Sequence, residues 1–372
     1  MEISLRSTRE GNRQKLALVV DGEEVARLTI EDREMRLGST WVRMGGVASV
    51  RVSPAHRGRG YGRRLMEDAV AYMCREGYLV SILFGIPGFY HRIGYATVLP
   101  AKSLIRVRTQ AAEALGELSP VREARQADEK ALLAIYNEET RGRNGAAKRS
   151  ESAFLPWRDA TEEWFQEPSR ILVAEEHGKP VAYALGEHGW RSASMWYTRP
   201  YEFVAPGIAA ATAGSSLIRA LAAEAVRQRA EWIDLEMPPD APMLAVLRSI
   251  GFRQEIEYSH NQGGMGRIVD LGGLAVALKG TLRERMRSSG LEGSVGKVAF
   301  VCDAERAEIE IGAGRTITIN LPQENLLQLF MGYRSLGELR LEFPSCVAEQ
   351  DVAIVDILFP GGHPYMWNLD HF

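Results

Sequence analysis

The sequence predicts a mixed α/β chain of the α+β class, arranged as three consecutive units. The chain has 372 residues, more than one ordinary hydrophobic core accommodates. Its beginning has the pattern of short strands followed by a turn, a helix and a buried strand, and a similar order restarts near residue 119. Beyond about residue 272 the pattern changes to evenly spaced strands and a helix. We therefore predict units at residues 1–118, 119–271 and 272–372.

Composition excludes several classes of protein. Hydrophobic residues at 45% and charged residues at 25% are typical of globular chains, and no apolar run approaches the roughly 18 residues of a membrane helix. A net charge of -3 argues against a general nucleic-acid-binding surface. The opening "MEISLRSTREG" lacks the apolar run of a secretory signal, so we expect a cytoplasmic location and no membrane partner. Three widely spaced cysteines without a CxxC pair, and seven scattered histidines, predict neither a disulfide framework nor a metal site.

The first unit has the clearest order of elements. The stretches "EISLRST", "KLALVVDG", "EEVARLTI" and "GGVASVRVSP" predict successive strands, the last of which ends at Pro54. From Gly62 the apolar residues follow helical spacing, and "GYLVSILFGIPG" then predicts a buried strand. Because only "REGNRQ" separates the first two strands, we expect no helix between them.

A basic, glycine-rich turn precedes the predicted helix. Such a turn exposes backbone N–H groups at the positive end of a helix, which favours binding of a phosphate. Glycines let a ligand approach the backbone closely, and arginines make forked hydrogen bonds to phosphate oxygens. Neither a dinucleotide-binding loop nor a P-loop fits the spacing of the glycines. The candidate phosphate-binding residues are Arg57, Gly58, Arg59, Gly60, Tyr61, Gly62 and Arg63.

Read as Arg57, Gly60 and Gly62, this turn resembles the Arg/Gln-x-x-Gly-x-Gly/Ala acyl-CoA loop of the Gcn5-related N-acetyltransferases. One strand later, "GFYHRIGY" is similar to an aromatic, basic and glycine pattern of the same family. The resemblance implies that the loop amides hold the pyrophosphate of coenzyme A, and that Tyr90 gives a proton to the departing thiolate. A phenol, with an ordinary pKa of about 10, is protonated at neutral pH. The alternatives are a solvated turn and a tyrosine that only packs. By the same resemblance, the pantetheine arm would pair with the backbone of Val50, Arg51 and Val52.

The rest of the chain indicates a resemblance to one particular family of these acetyltransferases. A helix in "VREARQADEKALLAIYNEE" and a hairpin turning at Gly178 predict a second copy of the same fold, which has no arginine-glycine loop and is not expected to bind coenzyme A. Residues 272–372 resemble a sterol carrier protein-like domain. Together the three units resemble the enhanced intracellular survival (Eis) family of bacterial acetyltransferases. That resemblance implies a homo-oligomer, specifically a hexamer.

The first unit shows no obvious catalytic base, because the strand "GGVASVRV" carries no carboxylate. In Eis-like proteins the carboxylate of a C-terminal phenylalanine enters the active site as the base, which implies that role for Phe372. A free α-carboxyl has a pKa of roughly 3.5, so it would need burial or a bridging water to act effectively. A frayed terminus is the alternative. Candidate contacts to a cationic acceptor are Asp370, Glu31, Asp32, Glu34 and the polar segment 140–165. The alternatives are an exposed charged strand edge for Glu31, Asp32 and Glu34, and a solvated surface loop, which is favoured, for the segment.

The sequence thus predicts an acetyl-CoA-dependent N-acetyltransferase. The acceptor would be a primary amine of the aminoglycoside, polyamine or lysine type, attacking the thioester directly, with acetyl-CoA as cosubstrate and no metal. Cys74 lies on the predicted helix, where a buried structural thiol is expected rather than a nucleophile. One alternative is a carrier of a lipid or other apolar ligand with a vestigial or regulatory coenzyme A site. Transfer of a longer acyl chain is another.

Overall fold

The structure is a computed structural model that describes residues 2–116, 118–150, 169–187, 191–192, 195–198, 200–303 and 305–372. It is a mixed α/β protein, as the sequence predicted. Most of the polar segment 140–165, one of the predicted acceptor contacts, lies outside the described residues. In the described part of the chain, no helix is both long and apolar enough to cross a membrane.

The first sheet is formed mainly by the N-terminal residues and has the order β1-β2-β3-β4-β5-β16-β6. Antiparallel pairing joins β1 through β4, and β5 then runs parallel to β4. Helix α1, Tyr61–Arg75, connects β4 to β5 and packs on one face. The strands are β1 Ile3–Glu10, β2 Arg13–Val20, β3 Glu23–Leu37, β4 Thr40–Val52, β5 Val80–Gly85, β6 Ala96–Thr97 and β16 Gly263–Ile268.

A tight turn joins β1 to β2, because Glu10 pairs directly with Arg13. The expected absence of a helix between these strands is therefore confirmed. One face of the sheet buries the apolar side of α1, including Leu65, Met66 and Met73. The turn between β1 and β2 supplies no helix to cover the opposite face of this sheet.

Two further sheets lie in the middle of the chain, with orders β13-β10-β9-β8 and β11-β12-β14-β7-β15. The predicted hairpin is present, since Glu176 pairs with Lys179 around Gly178. The strands are β7 Lys102–Arg108, β8 Val121–Glu123, β9 Ser169–Glu176, β10 Lys179–Glu187, β11 Arg191–Ser192, β12 Met195–Thr198, β13 Pro200–Val204, β14 Trp232–Glu236 and β15 Arg253–Glu257. The accompanying helices are α2 Thr109–Glu113, α3 Glu129–Glu139, α4 Ala213–Arg227 and α5 Met243–Leu247.

Two strands cross the boundaries that the sequence predicted. Strand β7 lies within residues 1–118, yet it pairs with β14 and β15 in a sheet of the second unit. Strand β16 lies within residues 119–271, yet it is inserted between β5 and β6 of the first sheet. The predicted boundaries therefore do not separate independent sheets, because each of the first two units contributes a strand to the other.

The C-terminal unit begins with the long helix α6, Leu271–Ser288, and contains a sheet of order β18-β17-β19. Its apolar core is continuous with one end of the first sheet, where Met35, Met44 and Ile82 are fully buried against it. The other elements are β17 Val295–Cys302, β18 Glu305–Glu310, β19 Arg315–Asn320, α7 Gln323–Met331, α8 Leu336–Arg340 and α9 Val352–Leu358. The strands and the helix expected here are confirmed.

The thiols are free. Cys302 and Cys346 are buried, but Cys74 is exposed, contrary to the expectation of a buried side chain. It lies near the C-terminal end of α1, where the helix surface turns to solvent.

Candidate active site

The predicted phosphate-binding turn leads into the N-terminus of α1. Gly58 and Gly60 have φ values of +75° and +81°, which residues with a Cβ adopt only at a cost. Gly60 is the N-cap residue and offers no side-chain cap, and the first turn of α1 contains no acidic residue. The first amides of the helix therefore keep both their hydrogen-bonding capacity and the positive end of the helix dipole for an anion.

The arginines of this turn differ in their position. Arg57 and Arg63 line a large cavity beside the turn, whereas Arg59 does not. The Nε atom of Arg63 donates to Glu67 at 2.8 Å, and both side chains are largely exposed. Such a surface pair is worth only about 0.5 kcal/mol, so a phosphate can compete for the guanidinium.

Strands β4 and β5 separate beside the turn. Their parallel pairing ends at Val47 and Leu83, and β4 then continues to Val52 paired only with β3. The register between β3 and β4 shifts at this point, and Ser49 has a φ of +52°. This bulge turns β4 away from β5 and leaves the edge of the predicted pantetheine-binding segment without a strand partner.

The separation opens a groove with a volume of about 1070 Å³. Its walls include the backbone segment 50–52, the turn before α1, Phe89 and Tyr90. The groove thus brings together most of the site residues that the sequence predicted, except Phe372 and Arg59, which do not line it.

Tyr90 begins a short 3-10 helix, Tyr90–Ile93, and is 8% exposed. Its ring packs edge to face against Phe89 and Tyr95, with centroids 4.9 and 6.3 Å away. Burial raises the pKa of the Tyr90 hydroxyl above its usual value of 10. In the part of the chain that the structure describes, no group hydrogen-bonds this hydroxyl, so its proton is available to a ligand. Tyr95, by contrast, is occupied by a hydrogen bond with Ser81 at 2.8 Å, consistent with packing.

The C-terminal residues return to the first sheet. The Phe372 ring lies directly on Gly46 of β4, where an added Cβ would come within 2.6 Å of it. It also packs edge to face on Phe84, and the guanidinium of Arg33 lies 5.5 Å from its centroid. The preceding side chain, His371, stacks on Phe84 with centroids 3.5 Å apart. Glycine at position 46 is therefore required by the close approach of the terminal ring.

A buried ion cluster holds the terminal segment. Arg149 donates to both carboxylate oxygens of Asp370, at 2.8 and 2.7 Å, and to both oxygens of Glu202, at 2.7 and 2.8 Å. The hydroxyl of Tyr136 donates to the carbonyl of Ala147 at 2.7 Å and lies 3.3 Å from Asp370. Because Asp370 is buried and paired, it does not attract a cationic acceptor as the sequence suggested; it anchors the tail.

The three acidic residues of β3 are also paired. Glu31 is nearly fully buried, and burying its charge without a partner would be unfavourable. The partner cations are Arg13 for Glu31 at 2.7 Å, Arg43 for Asp32 at 2.8 Å and Lys148 for Glu34 at 2.5 Å. The Arg43 guanidinium lowers the pKa of Asp32. These carboxylates are therefore less suited to binding a cationic acceptor than the sequence suggested.

Two residues of this region were not singled out from the sequence. Gly46 belongs to the pair "GG" within a predicted strand, a signal for close approach of another group. Arg149 lies in the polar segment 140–165, but the sequence did not indicate its pairing, because its partners are 53 and 221 residues away. Among the described residues, no cluster of histidine, cysteine or acidic side chains could hold a metal ion.

Comparison with known proteins agrees with this geometry. Residues 5–98 match the acetyltransferase (GNAT) domain family. No curated protein sequence matches the chain.

Solved structures extend the likeness to the whole fold. A GCN5-related N-acetyltransferase from Kribbella flavida is 21% identical with a TM-score of 0.68, and the match covers 96% of this chain and 88% of that one. One from Anabaena variabilis is 15% identical with a TM-score of 0.71, covering 97% and 90%. Eis1 from Mycobacterium abscessus is 16% identical with a TM-score of 0.64, covering 98% and 92%. At these identities the likeness concerns the fold alone.

Proposed function

We propose that the protein is an acetyl-CoA-dependent N-acetyltransferase that acts on a primary amine. The observation that carries the proposal is the groove, which joins the amides at the start of α1, the unpaired edge of β4 and the hydroxyl of Tyr90. These features provide an anion site, a hydrogen-bonding edge for an extended arm and a proton donor. A long phosphate-bearing thioester requires all three.

The residues of the groove suit acetyl-CoA, which supplies an activated acetyl group as a thioester. The turn from Arg57 to Arg63 would hold the pyrophosphate, mainly through backbone amides and with the guanidinium of Arg57 as a charged donor. The backbone of residues 50–52 would pair with the pantetheine arm, because its strand edge faces the groove.

The reaction requires two proton transfers. The amine nitrogen forms a bond to the acetyl carbonyl carbon while the bond from that carbon to sulfur breaks. Tyr90 gives its proton to the sulfur, and its raised pKa keeps it protonated at neutral pH. The nitrogen loses a proton to a base, for which we propose the Phe372 carboxylate, acting directly or through a water. Exchange with solvent then returns a proton to Tyr90 and removes one from the carboxylate.

The test is thiol release from acetyl-CoA across a panel of aminoglycosides, polyamines and lysine derivatives. We expect amine-dependent release, and we expect Tyr90→Phe to lower kcat by about 10²-fold, the usual range for loss of a general acid. Tyr258→Phe is a matched control, since that hydroxyl is exposed and outside the groove. Unchanged kcat in Tyr90→Phe would exclude the acid role. If no amine of the panel promotes thiol release although acetyl-CoA binds, the result would argue against transferase activity.

We also propose the finer organisation that the sequence suggested. It comprises an acetyl-CoA-binding unit, a degenerate second acetyltransferase-like unit and a sterol carrier protein-like unit, assembled as a homohexamer in the cytoplasm. The missing arginine-glycine turn before α4 supports the degenerate assignment. The carrier alternative has no supporting observation in the matched structures.

A further inference from the structure

A second cavity adjoins the groove on the face of the first sheet opposite α1. Its volume is about 600 Å³. Four cationic side chains line it, those of Arg6, Lys15, Arg27 and Arg51, together with the carboxylate of Glu24. We call it the cationic cavity. Its excess of positive charge contrasts with the net charge of -3 of the whole chain.

Strand register places the cations side by side. Arg6 of β1 pairs with Ala17 of β2, Ala17 with Arg27 of β3, and Arg27 with Arg51 of β4. Paired residues in antiparallel strands project from the same face, so three guanidinium groups share one row across the sheet, with the small side chain of Ala17 between two of them. Lys15 lies on the same face in the next row, opposite Thr29.

This arrangement is unfavourable without an anion. Like charges directly opposite each other destabilise a sheet, and Arg27 faces Arg51 in this way. Arg27 is compensated only weakly by Glu24, whose carboxylate is 3.5 Å away in an exposed pair, and Lys15 forms an exposed pair with Glu10 at 2.8 Å. In the described ranges, Arg6 and Arg51 have no ion pair. Bound anionic oxygens would relieve the repulsion.

The cavity is also placed to receive an acceptor. Glu24, Arg27 and Arg51 line both the cavity and the proposed acetyl-CoA groove, so the two are neighbours. Thr29 lies two residues, or about 7 Å along the strand, from Glu31. Glu31 pairs with Gly46, on which the Phe372 ring lies. The cavity therefore adjoins the groove and lies on the same face of the sheet as the terminal ring.

We propose that the cationic cavity binds an anionic group of the acceptor, so that the preferred acceptor is a primary amine that also carries a carboxylate or phosphate. This inference rests on the proposed function and narrows its substrate class. Nearby carboxylates that would attract a polycation are already paired with arginine or lysine, whereas two guanidinium groups of the cavity, those of Arg6 and Arg51, have no ion pair in the described part of the chain. Purely cationic amines such as polyamines are therefore poor acceptors.

The experiment compares lysine with cadaverine, which differ only by the carboxylate, and O-phosphoethanolamine with ethanolamine. We expect kcat/KM to be about tenfold higher for the anionic member of each pair at low salt, since charge-assisted hydrogen bonds stabilise it. The advantage should decrease as salt screens the exposed cations. Binding of each amine in the presence of coenzyme A, measured by calorimetry, should show the same preference independently of turnover.

The variant Arg6→Gln/Lys15→Gln tests the site, because these two residues line the cavity but not the groove. We expect it to raise KM for lysine about tenfold while leaving KM for acetyl-CoA and the rate with cadaverine unchanged. Arg9→Gln is the control: it removes a cation from the same strand on the opposite face, where Arg9 pairs with Asp32.

Equal or better binding and turnover of the cationic amines would overturn the proposal. So would a raised KM for acetyl-CoA with unchanged acceptor KM in the double variant, because the cavity would then hold a phosphate of the cosubstrate. Failure of the proposed function looks different: no amine would promote thiol release, although calorimetry could still show or refute the preference for anionic amines.

Discussion

At the residue scale, one contact fixes the end of the chain. An ideal Cβ at Gly46 would lie 2.6 to 2.8 Å from three atoms of the Phe372 ring, closer than real Cβ contacts. Gly46→Ala must therefore displace the ring, and overpacking of this kind costs typically 1–3 kcal/mol. We expect a lower Tm and a reduced kcat, with acetyl-CoA affinity retained because the groove is formed by other residues.

A double-mutant cycle identifies the cause. In a Phe372→Ala background, Gly46→Ala should cost little, because the opposing ring is absent. Gly280→Ala is the control, since a Cβ there meets no atom within 4 Å. An equal cost of Gly46→Ala with and without the ring would contradict the contact.

His371 makes the docked tail sensitive to acid. Burial lowers the pKa of its imidazole from 6.5 to about 4, although the negative charge of Asp370 opposes the shift. Because the folded-state pKa is lower than the unfolded value, its contribution is complete above pH 6.5 and is lost as the pH falls toward 4. Since the ring keeps intermediate exposure, we expect a loss of about 2 kcal/mol.

The variant His371→Phe separates this effect from other titrating groups. It keeps a ring against Phe84 but does not ionise, so its free energy of unfolding should fall less than that of the wild type between pH 6.5 and 4. Chemical denaturation at a series of pH values measures the difference. Parallel pH profiles for the two proteins would show that His371 is not buried in its neutral form.

At the scale of elements, the turn before α1 depends on two left-handed glycines. Gly60→Ala forces a Cβ into that conformation, at roughly 1–2 kcal/mol, and moves the amides that we propose to hold pyrophosphate. Gly77 at the other end of α1 has a similar φ of +77°, and neither glycine has an atom within 4 Å of an added Cβ. Both alanine variants should thus lose similar stability.

Only Gly60→Ala should weaken acetyl-CoA binding, by about tenfold in Kd measured by calorimetry, because Gly77 is remote from the groove. Equal affinities of the two variants for acetyl-CoA would show that the turn is not part of the proposed cosubstrate site.

Elements with local signals were predictable from the sequence. Alternating or β-branched residues predicted β1 to β4, a buried apolar run predicted β5, and the helical spacing after Gly62 predicted α1. The bulge at Ser49 was not predictable, because a serine in a strand does not signal a positive φ. The burial of Asp370 and the ion cluster around Arg149 were missed for a related reason: charged residues at separate positions in the sequence give no sign of their pairing.

At the scale of the whole molecule, the exchange of β7 and β16 was also beyond the sequence pattern. Strand pairing between distant segments depends on which edges meet in the folded chain, and "GGMGRI" gives no indication of its partner. The consequence is that the first two units complete each other. Without β16, the edge of β5 that it covers would be exposed, and without β14 and β15, β7 would lack both of its neighbours.

We therefore expect a fragment of residues 1–118 not to fold alone, although it contains the entire family match and every proposed cosubstrate-binding residue. An uncovered edge of a buried strand favours aggregation, and the apolar end of the sheet would lose its contact with the C-terminal unit. Expressed alone, the fragment should show no cooperative thermal transition and no acetyl-CoA binding. Co-expression with residues 119–372 should restore both, because the second fragment supplies β16 and receives β7. A fragment of residues 1–118 that unfolds cooperatively and binds acetyl-CoA would show that the strand exchange is dispensable for the first unit.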